Sequence, residues 1–222
     1  MGYAKPAGHS NEAHTDANGE TYYVCTVCGR ISHYDLTFVD VNDSDWFAPY
    51  VDRAVKAGLF GGRSAVIFDP NTPMSRAELV SVLWRNAGSP GYSEVGHTPF
   101  DDCKVGAWYT AAVNWAASEG IVNGVGDNLF DPDGYITREQ IVTVFYRYAN
   151  YAKMDTSERA DITKDFNDAD KVSDYAKDAM SWAVAVGLIR GDRGSIKPLD
   201  HASRAEVATM VIRFVDLEKT AE

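Results

Sequence analysis

The four residues Ser75-Arg76-Ala77-Glu78 are the first copy of the pattern that decides the fold of this chain. A hydroxyl residue, an arginine, a variable residue and a Glu or Gln return in the same order as Thr137-Arg138-Glu139-Gln140 and as Ser203-Arg204-Ala205-Glu206. The three arginines stand 62 and 66 positions apart. A pattern that returns at so regular a distance indicates internal repeats, which determine the architecture before any single motif does.

The residues that precede each copy also recur. Each segment opens with a Phe-x-Asp motif, at Phe38-Val39-Asp40, Phe100-Asp101-Asp102 and Phe166-Asn167-Asp168. An aromatic residue then begins an alanine-rich run that ends in glycine; the aromatic residues are Trp46, Trp108 and Tyr175, and the glycines are Gly58, Gly120 and Gly187. A loop rich in Gly and Asp leads to a proline five residues before the hydroxyl residue, at Pro70, Pro132 and Pro198. The chain therefore holds three copies of one unit.

Each unit is predicted to be a helix, a loop and a second helix. The apolar residues of the first run share one helical face, and in the first unit they are Trp46, Tyr50, Val51, Ala54 and Val55. On this spacing Trp46 and Trp108 belong to the core. Gly58 and Gly88 are expected to end the two helices, since glycine adopts the left-handed conformation without strain. A helix pair of this size cannot bury its apolar face alone, so we predict a mainly α-helical fold in which the three units pack as a compact pseudo-threefold bundle.

The repeats also set the domain boundaries. Residues 1–35 form an N-terminal extension, which lacks helical periodicity and is predicted to be small and irregular. The repeats cover 36–88, 100–150 and 166–217, and two linkers join them at 89–99 and 151–165.

In the second helix of each unit, the hydroxyl residue and the Glu or Gln three positions later form the signature of a capping box. The arginine would then be the first helical residue, where the helix dipole disfavours a cation by up to about 1 kcal/mol. An arginine there in every unit indicates a compensating negative partner. That partner is either the aspartate that opens a repeat (Asp40, Asp102 or Asp168) or an external anion. The residues alone leave both open, and the two are compatible if the aspartate orients a guanidinium that binds a ligand.

Taken in order, the Phe-x-Asp motif, the aromatic residue, the Gly-rich loop, the Phe-x-Pro motif and the Ser/Thr-Arg-Ala/Glu-Glu/Gln motif resemble the S-layer homology domain. The resemblance covers about residues 37–217 in three full copies. It implies a three-pronged fold with one helix of each repeat in a central bundle. It also implies an extracellular location in the cell wall or S-layer of a Gram-positive bacterium. There the domain would attach a longer protein to a peptidoglycan-linked secondary cell-wall polysaccharide, often one with pyruvylated sugars.

The resemblance places the binding grooves between neighbouring repeats and assigns them to the motif arginines, here Arg76, Arg138 and Arg204. It also implies roles for Asp40, Asp102, Asp168, Trp46, Trp108, Gly62 and Gly124. A pyruvyl ketal carries a carboxylate, which a planar guanidinium can bind at two points. An indole face suits the apolar side of a sugar ring, so a glycan platform is the alternative to a core role for the two tryptophans.

The chain departs from the family pattern in two repeats. Repeat two has Glu139-Gln140 in place of Ala-Glu. Repeat three has Tyr175 in place of tryptophan, a loop one residue shorter, and Ile196-Lys197-Pro198 in place of Phe-Asp-Pro. The groove that depends most on repeat three is therefore expected to bind weakly or not at all.

The net charge of −11 and the pI near 4.8 argue against a nucleic-acid-binding protein, which needs a basic surface. No run of about 18 apolar residues occurs, so no membrane span is predicted. The first residues, Met1–Lys5, lack the apolar core of a signal peptide, so we expect either an intracellular protein or a piece of a longer secreted chain. As a fragment the chain is expected to be monomeric.

The extension contains Cys25-Thr26-Val27-Cys28, a spacing typical of a zinc knuckle. A closed structural zinc site needs four ligands, and His9, His14 and His33 are the candidates to complete it. We take Cys25, Cys28, His14 and His33 as the predicted set, with free or mutually bonded thiols as the alternative. Cys103 stands alone and is expected to be a packed thiol. No other cofactor is required.

No Ser/His/Asp order, Gly-rich phosphate loop or His-Glu-x-x-His motif occurs, so no enzymatic activity is predicted. The predicted function is noncovalent anchoring of a surface protein through an anionic wall polysaccharide. The main alternative is a protein-interaction or assembly module in which the arginines are purely structural and no glycan binds. A third, weaker one is a wall-active glycoside hydrolase.

Overall fold

The computed structural model describes residues 10–35, 37–91 and 98–221 of the chain. Its strands are β1 (Asn11–Thr15), β2 (Thr21–Cys25) and β3 (Ile31–Ser32). Its helices are α1 (Ala48–Lys56), α2 (Arg76–Asn86), α3 (Thr110–Ser118), α4 (Arg138–Tyr151), α5 (Ile162–Asp165), α6 (Lys177–Ala185) and α7 (Arg204–Ala221), with 3-10 turns at Ala169–Lys171 and Asp174–Ala176. The prediction of a mainly helical fold is confirmed. None of the helices in these ranges has the length and apolar character needed to cross a membrane.

The chain divides into two compact units, which are not the same as the three repeats. The first comprises Met1–Thr72 and Ser203–Thr209, and the second comprises Pro73–Ala202 and Met210–Glu222. The units do not follow the repeats, because α2 of the first repeat belongs to the second unit, whereas α7 of the third repeat begins in the first unit. The pseudo-threefold arrangement of the repeats stays a prediction.

The ends of the helices follow the predicted chemistry. Before α2, the Ser75 hydroxyl accepts a hydrogen bond from the Glu78 amide at 3.3 Å, and the Glu78 carboxylate accepts one from the Ser75 amide at 2.9 Å. The same reciprocal pair caps α4 and α7. The first helix of each repeat ends at a glycine with a positive φ angle of 67–74° (Gly58, Gly120 and Gly187), as expected for the residue after a helix.

In the second unit, the second helix of one repeat packs on the first helix of the next. Helix α2 contacts α3, and α4 contacts α6. The fully buried side chains of this unit include Leu79, Leu83, Ile121, Phe130, Ile141, Phe145, Met180, Trp182 and Phe214. This pairing brings side chains of different repeats to one place, which a helix pair in isolation could not do.

The core of the first unit is aromatic. The ring of Phe68 is fully buried, and its centroid lies 5.5 Å from that of Phe38 and 6.1 Å from that of Phe60. The apolar face of α1 contributes Val51 and Ala54, both fully buried.

The prediction that Trp46 and Trp108 lie in the core is wrong. The two side chains are 59% and 62% exposed. Helices α1 and α3 begin two residues after each tryptophan, so these residues precede the first helical turn instead of extending its buried face. Each indole packs edge-on against the next residue, Phe47 or Tyr109.

The N-terminal extension is also different from the prediction, because it is a three-stranded antiparallel sheet in the order β1-β2-β3. Strand β2 is rich in β-branched and aromatic residues, which favour a pleated surface, although the alternation was too short to indicate a strand. Asp43 connects the sheet to the first repeat. Its carboxylate accepts hydrogen bonds from the Ser32 hydroxyl at 2.7 Å and the His33 amide at 2.9 Å, and it pairs with Arg30 at 3.3 Å.

The aspartate that opens each repeat holds the loop before the proline. The Asp102 carboxylate accepts hydrogen bonds from the amides of Phe130 and Asp131, at 2.8 and 2.7 Å. Asp40 binds the amides of Phe68 and Asp69 in the same way, and Asp168 binds those of Ile196 and Lys197. The second residue of each pair has a positive φ angle, which reaches 65° at Asp69 and is 51° at Lys197. This conformation is strained for side-chain-bearing residues, so the carboxylate selects a loop shape that the loop alone would disfavour.

We expect Asp168→Ala to lower the free energy of unfolding by roughly 3 kcal/mol, because it leaves the amides of Ile196 and Lys197 without their charged acceptor. Urea denaturation followed by circular dichroism measures the change. Asp170→Ala is the matched control, since Asp170 is exposed, and it should stay within about 0.5 kcal/mol of the parent chain. Equal destabilisation by both substitutions would contradict the structural role of Asp168.

Candidate functional site

The motif arginine of each repeat is built into the loop of another repeat. Arg76 donates from Nε to the carbonyl of Phe130 at 2.7 Å and from Nη2 to the carbonyl of Asn123 at 3.1 Å. Its guanidinium lies 4.8 Å from the centroid of the Phe130 ring. Carbonyl oxygens and an aromatic face both offer negative partial charge, so they offset the unfavourable position of a cation at a helix start.

The other two arginines repeat this geometry. Arg204 donates to the carbonyls of Phe68 and Gly61 at 3.0 and 2.8 Å, and it lies 4.9 Å from the Phe68 ring centroid. Arg138 donates to the carbonyl of Ile196 at 2.8 Å, where the aliphatic Ile196 replaces the aromatic residue. Arg76 and Arg204 are only 8% and 5% exposed, so most of each side chain is packed inside the fold.

A single peptide group lies between each guanidinium and an aspartate and forms a hydrogen bond with both. The carbonyl of Phe130 accepts from Arg76, and the amide of the same peptide group, which belongs to Asp131, donates to Asp102. Arg204 and Asp40 hold the Phe68–Asp69 peptide group in the same way, and Arg138 and Asp168 hold the Ile196–Lys197 peptide group. The sequence left two possible partners for each motif arginine, an aspartate or an external anion. The structure adds a third, the backbone of the loop, which lies between the guanidinium and the carboxylate.

The first amides of these helices are occupied as well. In α2, the amides of Arg76 and Ala77 donate to the carbonyls of Gly134 and Pro132 at 2.9 and 3.0 Å. The amides of Arg138 and Glu139 in α4, and of Arg204 and Ala205 in α7, bind loop carbonyls in the same way. An anion at such a site would therefore bind the guanidinium and not these amides.

A cleft of about 360 Å³ opens beside Arg76, a volume within the range of small-ligand sites. All three repeats contribute to its wall: Arg76, Val80, Val122, Asn123, Gly124, Val125, Phe130, Ile136, Gln140, Thr143, Val144, Arg147 and Tyr175. A guanidinium has five N–H donors, and the two hydrogen bonds of Arg76 to loop carbonyls use two of them. Burial lowers the pKa of Arg76 and nearby Asp131 opposes this, and arginine stays charged at neutral pH.

Arg147 is a second cation in the cleft wall, and it is not one of the site residues predicted above. It is half-buried, and none of the hydrogen bonds or ion pairs within the described ranges involves its guanidinium. Burial lowers its pKa without removing its charge. A signal for it existed, because an arginine stands nine positions after each motif arginine, at Arg85, Arg147 and Arg213. Arg213 differs from Arg147 in donating to the carbonyl of Leu188 at 3.2 Å.

Tyr175 forms another part of the wall, and its position is set by Glu139. The Glu139 carboxylate is buried and accepts hydrogen bonds from the Tyr175 hydroxyl at 2.9 Å, the Ser173 hydroxyl at 2.8 Å and the Ser173 amide at 3.0 Å. Burial and this hydrogen bond raise the pKa of Tyr175, so the phenol stays a donor. Two departures from the family pattern, Glu139 in repeat two and Tyr175 in repeat three, are thus in direct contact.

The two loop glycines implied by the resemblance are packing positions. A Cβ at Gly124 would lie 2.5 Å from the carbonyl oxygen of Leu129, and one at Gly62 would clash with the Ser64 carbonyl and the Phe38 ring. Gly124 also lines the cleft, whereas Trp108 is not among the lining residues. Asp102 acts on the cleft only through the loop that it holds.

The predicted zinc ligands do not assemble in the described part of the chain, where no three His, Cys, Asp or Glu side chains are placed to share an ion. The His14 ring stacks on Tyr22, and His33 lies beside Asp43, 3.6 Å from its carboxylate. His9 lies outside the described residues. The geometry does not fit a four-ligand site, and zinc binding stays a prediction for metal analysis of the purified protein to test. Cys103 is buried, which raises the pKa of its thiol to about 11, as suits a packed thiol.

The relatives of this chain include two proteins that are named for the surface layer. S-layer protein sap of Bacillus anthracis is 24% identical over 190 residues, which are 86% of this chain and 22% of that protein. The surface-layer 125 kDa protein of Lysinibacillus sphaericus is 26% identical over 185 residues, which are 79% and 15% of the two chains. An endoglucanase from a Bacillus strain is 29% identical over 175 residues, or 78% of this chain and 18% of that protein. The chain thus spans less than a quarter of each of these relatives.

The family model of the S-layer homology domain matches residues 37–80, 99–142 and 165–208, which agree with the three repeats described above. Each match begins just before a Phe-x-Asp motif and ends in the helix that follows a motif arginine. Since these segments cover more than half of the residues, the chain belongs to the S-layer homology domain family.

Proposed function

We propose that this chain anchors a longer surface protein to the cell wall by binding an acidic group of a wall polysaccharide in the cleft beside Arg76. The observation that carries the proposal is the pair of arginines in one cleft wall, of which Arg147 has no hydrogen-bond or ion-pair partner among the described residues. Burial removes part of the hydration of this cation, and a bound anion would compensate for that loss.

The cleft suits the carboxylate of a pyruvylated sugar. A planar guanidinium can bind a carboxylate at two points, and Arg76 is already held in place by the Phe130 and Asn123 carbonyls. Little side-chain entropy would therefore be lost on binding. The apolar wall, with Val80, Val122 and Val144, and the ring of Tyr175 would face the less polar side of the sugar. The overall charge of −11 is no obstacle, because the cations are local to the cleft.

The family and the S-layer names of two relatives support a location at the cell surface and a role in anchoring. We further propose that the chain has no catalytic activity of its own. The endoglucanase relative shares only 18% of its length with this chain, so the similarity leaves most of that enzyme unmatched. Incubation of the protein with purified cell walls should release no soluble sugar.

A protein-interaction or assembly module is the second candidate, and one observation favours it. The guanidinium groups of Arg76 and Arg204 are nearly buried and bind loop carbonyls, which is what a purely structural arginine would do. Arg147 is the residue that separates the two functions, because the described structure gives it no such internal role.

We expect Arg147→Gln to weaken binding of purified pyruvylated wall polysaccharide by about tenfold or more, because one charge-assisted contact is lost. Isothermal titration calorimetry gives the affinity. The thermal unfolding midpoint should stay close to that of the parent chain, since no internal hydrogen bond is broken. Arg190→Gln is the matched control, because Arg190 is exposed, lies outside the cleft and changes the net charge equally. Equal binding by the Arg147 and Arg190 variants would exclude this cleft as the polysaccharide site.

We also expect mild acid removal of the pyruvyl groups to weaken binding to the parent chain by at least tenfold, since the ligand then lacks the carboxylate that the arginines bind. The same treatment should change the affinity of the Arg147→Gln variant much less. Pull-down with treated and untreated wall polysaccharide measures both. Undiminished binding after complete removal would show that the carboxylate is not what the protein recognises.

A further inference from the structure

Strand β1 forms one edge of the sheet in the N-terminal extension. The strand order is β1-β2-β3, so β1 pairs with β2 on one side and with no other described strand on the opposite side. Four consecutive residues of β1, from Glu12 to Thr15, are exposed. An edge strand presents backbone N–H and C=O groups that a further strand can bind, and natural proteins usually cover or disrupt such an edge.

The hydrogen bonds of the sheet determine which backbone groups of β1 point outward. The Thr26 amide donates to the Ser10 carbonyl at 2.8 Å, so these two residues are a hydrogen-bonded pair across the first two strands. Hydrogen-bonded and non-hydrogen-bonded pairs alternate in an antiparallel ladder, and the even-numbered residues of β1 therefore bind β2. The amides and carbonyls of its odd-numbered residues, Ala13 and Thr15 among them, point away from β2.

The side chains of β1 alternate between the two faces of the sheet, and Glu12 and His14 share one face. Ile31 of β3 lies on the same face and is 63% exposed, whereas Cys25 and Ser32 on the opposite face are buried. Glu12 and His14 are therefore on the outer face, at the edge of the sheet, where both can contact a neighbouring strand.

Two copies of β1 can pair antiparallel about a twofold axis at Ala13, whose amide and carbonyl would bind those of its counterpart. Glu12 of each copy then lies opposite His14 of the other, in a non-hydrogen-bonded pair with Cα atoms about 4.5 Å apart. A carboxylate accepts a hydrogen bond from an imidazole N–H, and such complementary cross-strand pairs are stabilising. An axis at Glu12 or at His14 would instead place two identical side chains opposite each other, so the strand favours the axis at Ala13.

We propose that β1 is an association edge through which two copies of this chain join their three-stranded sheets into one continuous sheet. The imidazole of His14 is already positioned, because its ring stacks on that of Tyr22 with the centroids 5.4 Å apart. The contact uses the same strand of both copies, so it closes as a dimer and does not extend into a fibre. This proposal replaces the monomer that the sequence analysis predicts.

The association is expected to be weak. The strand is short, each main-chain hydrogen bond replaces one to water, and association has an entropic cost. Anchoring as proposed above would hold many copies on one wall, where a high effective concentration makes a weak contact sufficient. The dimer does not depend on that function, since β1 contributes no residue to the cleft beside Arg76.

Sedimentation equilibrium of the full chain at up to about 1 mM tests the pairing, and we expect a reversible monomer–dimer equilibrium. Glu12→Lys removes the acceptor opposite His14, and His14→Glu places two carboxylates opposite each other. Each change acts twice in the dimer and should weaken it by about tenfold. An equimolar mixture of the two variants should restore dimers, because both pairs of the mixed dimer again join complementary groups. Glu158→Lys is the matched control, since Glu158 is exposed and lies outside the extension, and it should dimerise like the parent chain.

Ala13→Pro tests the backbone contact. It removes an amide that points away from β2, so the sheet should form while the dimer is lost. Circular dichroism and the thermal unfolding midpoint check that the fold is kept, and the charge variants decide the matter if proline disturbs the sheet. A parent chain that stays monomeric at about 1 mM would overturn the proposal. A dimer that survives both charge variants, or a mixture that fails to restore it, would do the same.

Discussion

The structure depends on a peptide group held between a guanidinium and a carboxylate. In each repeat an aspartate binds the amide of the loop peptide, and an arginine from another repeat binds its carbonyl. The two charges are separated by the peptide dipole, which they polarise in the same direction, so each strengthens the other's hydrogen bond. This arrangement explains why a cation is tolerated at the start of α2, α4 and α7.

The same contact makes the repeats dependent on one another. The loop of repeat two is completed by Arg76 from repeat one, the loop of repeat three by Arg138, and the loop of repeat one by Arg204. No repeat holds both charges for its own loop. The compact units accordingly do not follow the repeat boundaries. The cleft also depends on contacts between repeats, since its wall contains residues from all three.

Much of the fold could be predicted from the sequence because it is encoded by local, repeated signals. The capping boxes, the helix-ending glycines and the helical class depend on a few neighbouring residues, and the structure confirms them. The exposure of Trp46 and the sheet of the extension were missed, since the first depends on where a helix begins and the second on a short pairing of strands. The site was predicted only in part. The motif arginines were found, but their carbonyl partners are backbone atoms that no residue type reveals, and the contact of Glu139 with Tyr175 joins positions 36 apart.

The hydrogen bond between Arg204 and the Phe68 carbonyl joins residues 136 positions apart, and this separation bears on the order in which the protein can form. Closing so long a loop costs conformational entropy, whereas the capping boxes join residues only three positions apart. During synthesis from the N-terminus, the first repeat therefore lacks its guanidinium donor until the chain has been made as far as residue 204. A truncation that removes α7 leaves the Phe68 carbonyl without this donor.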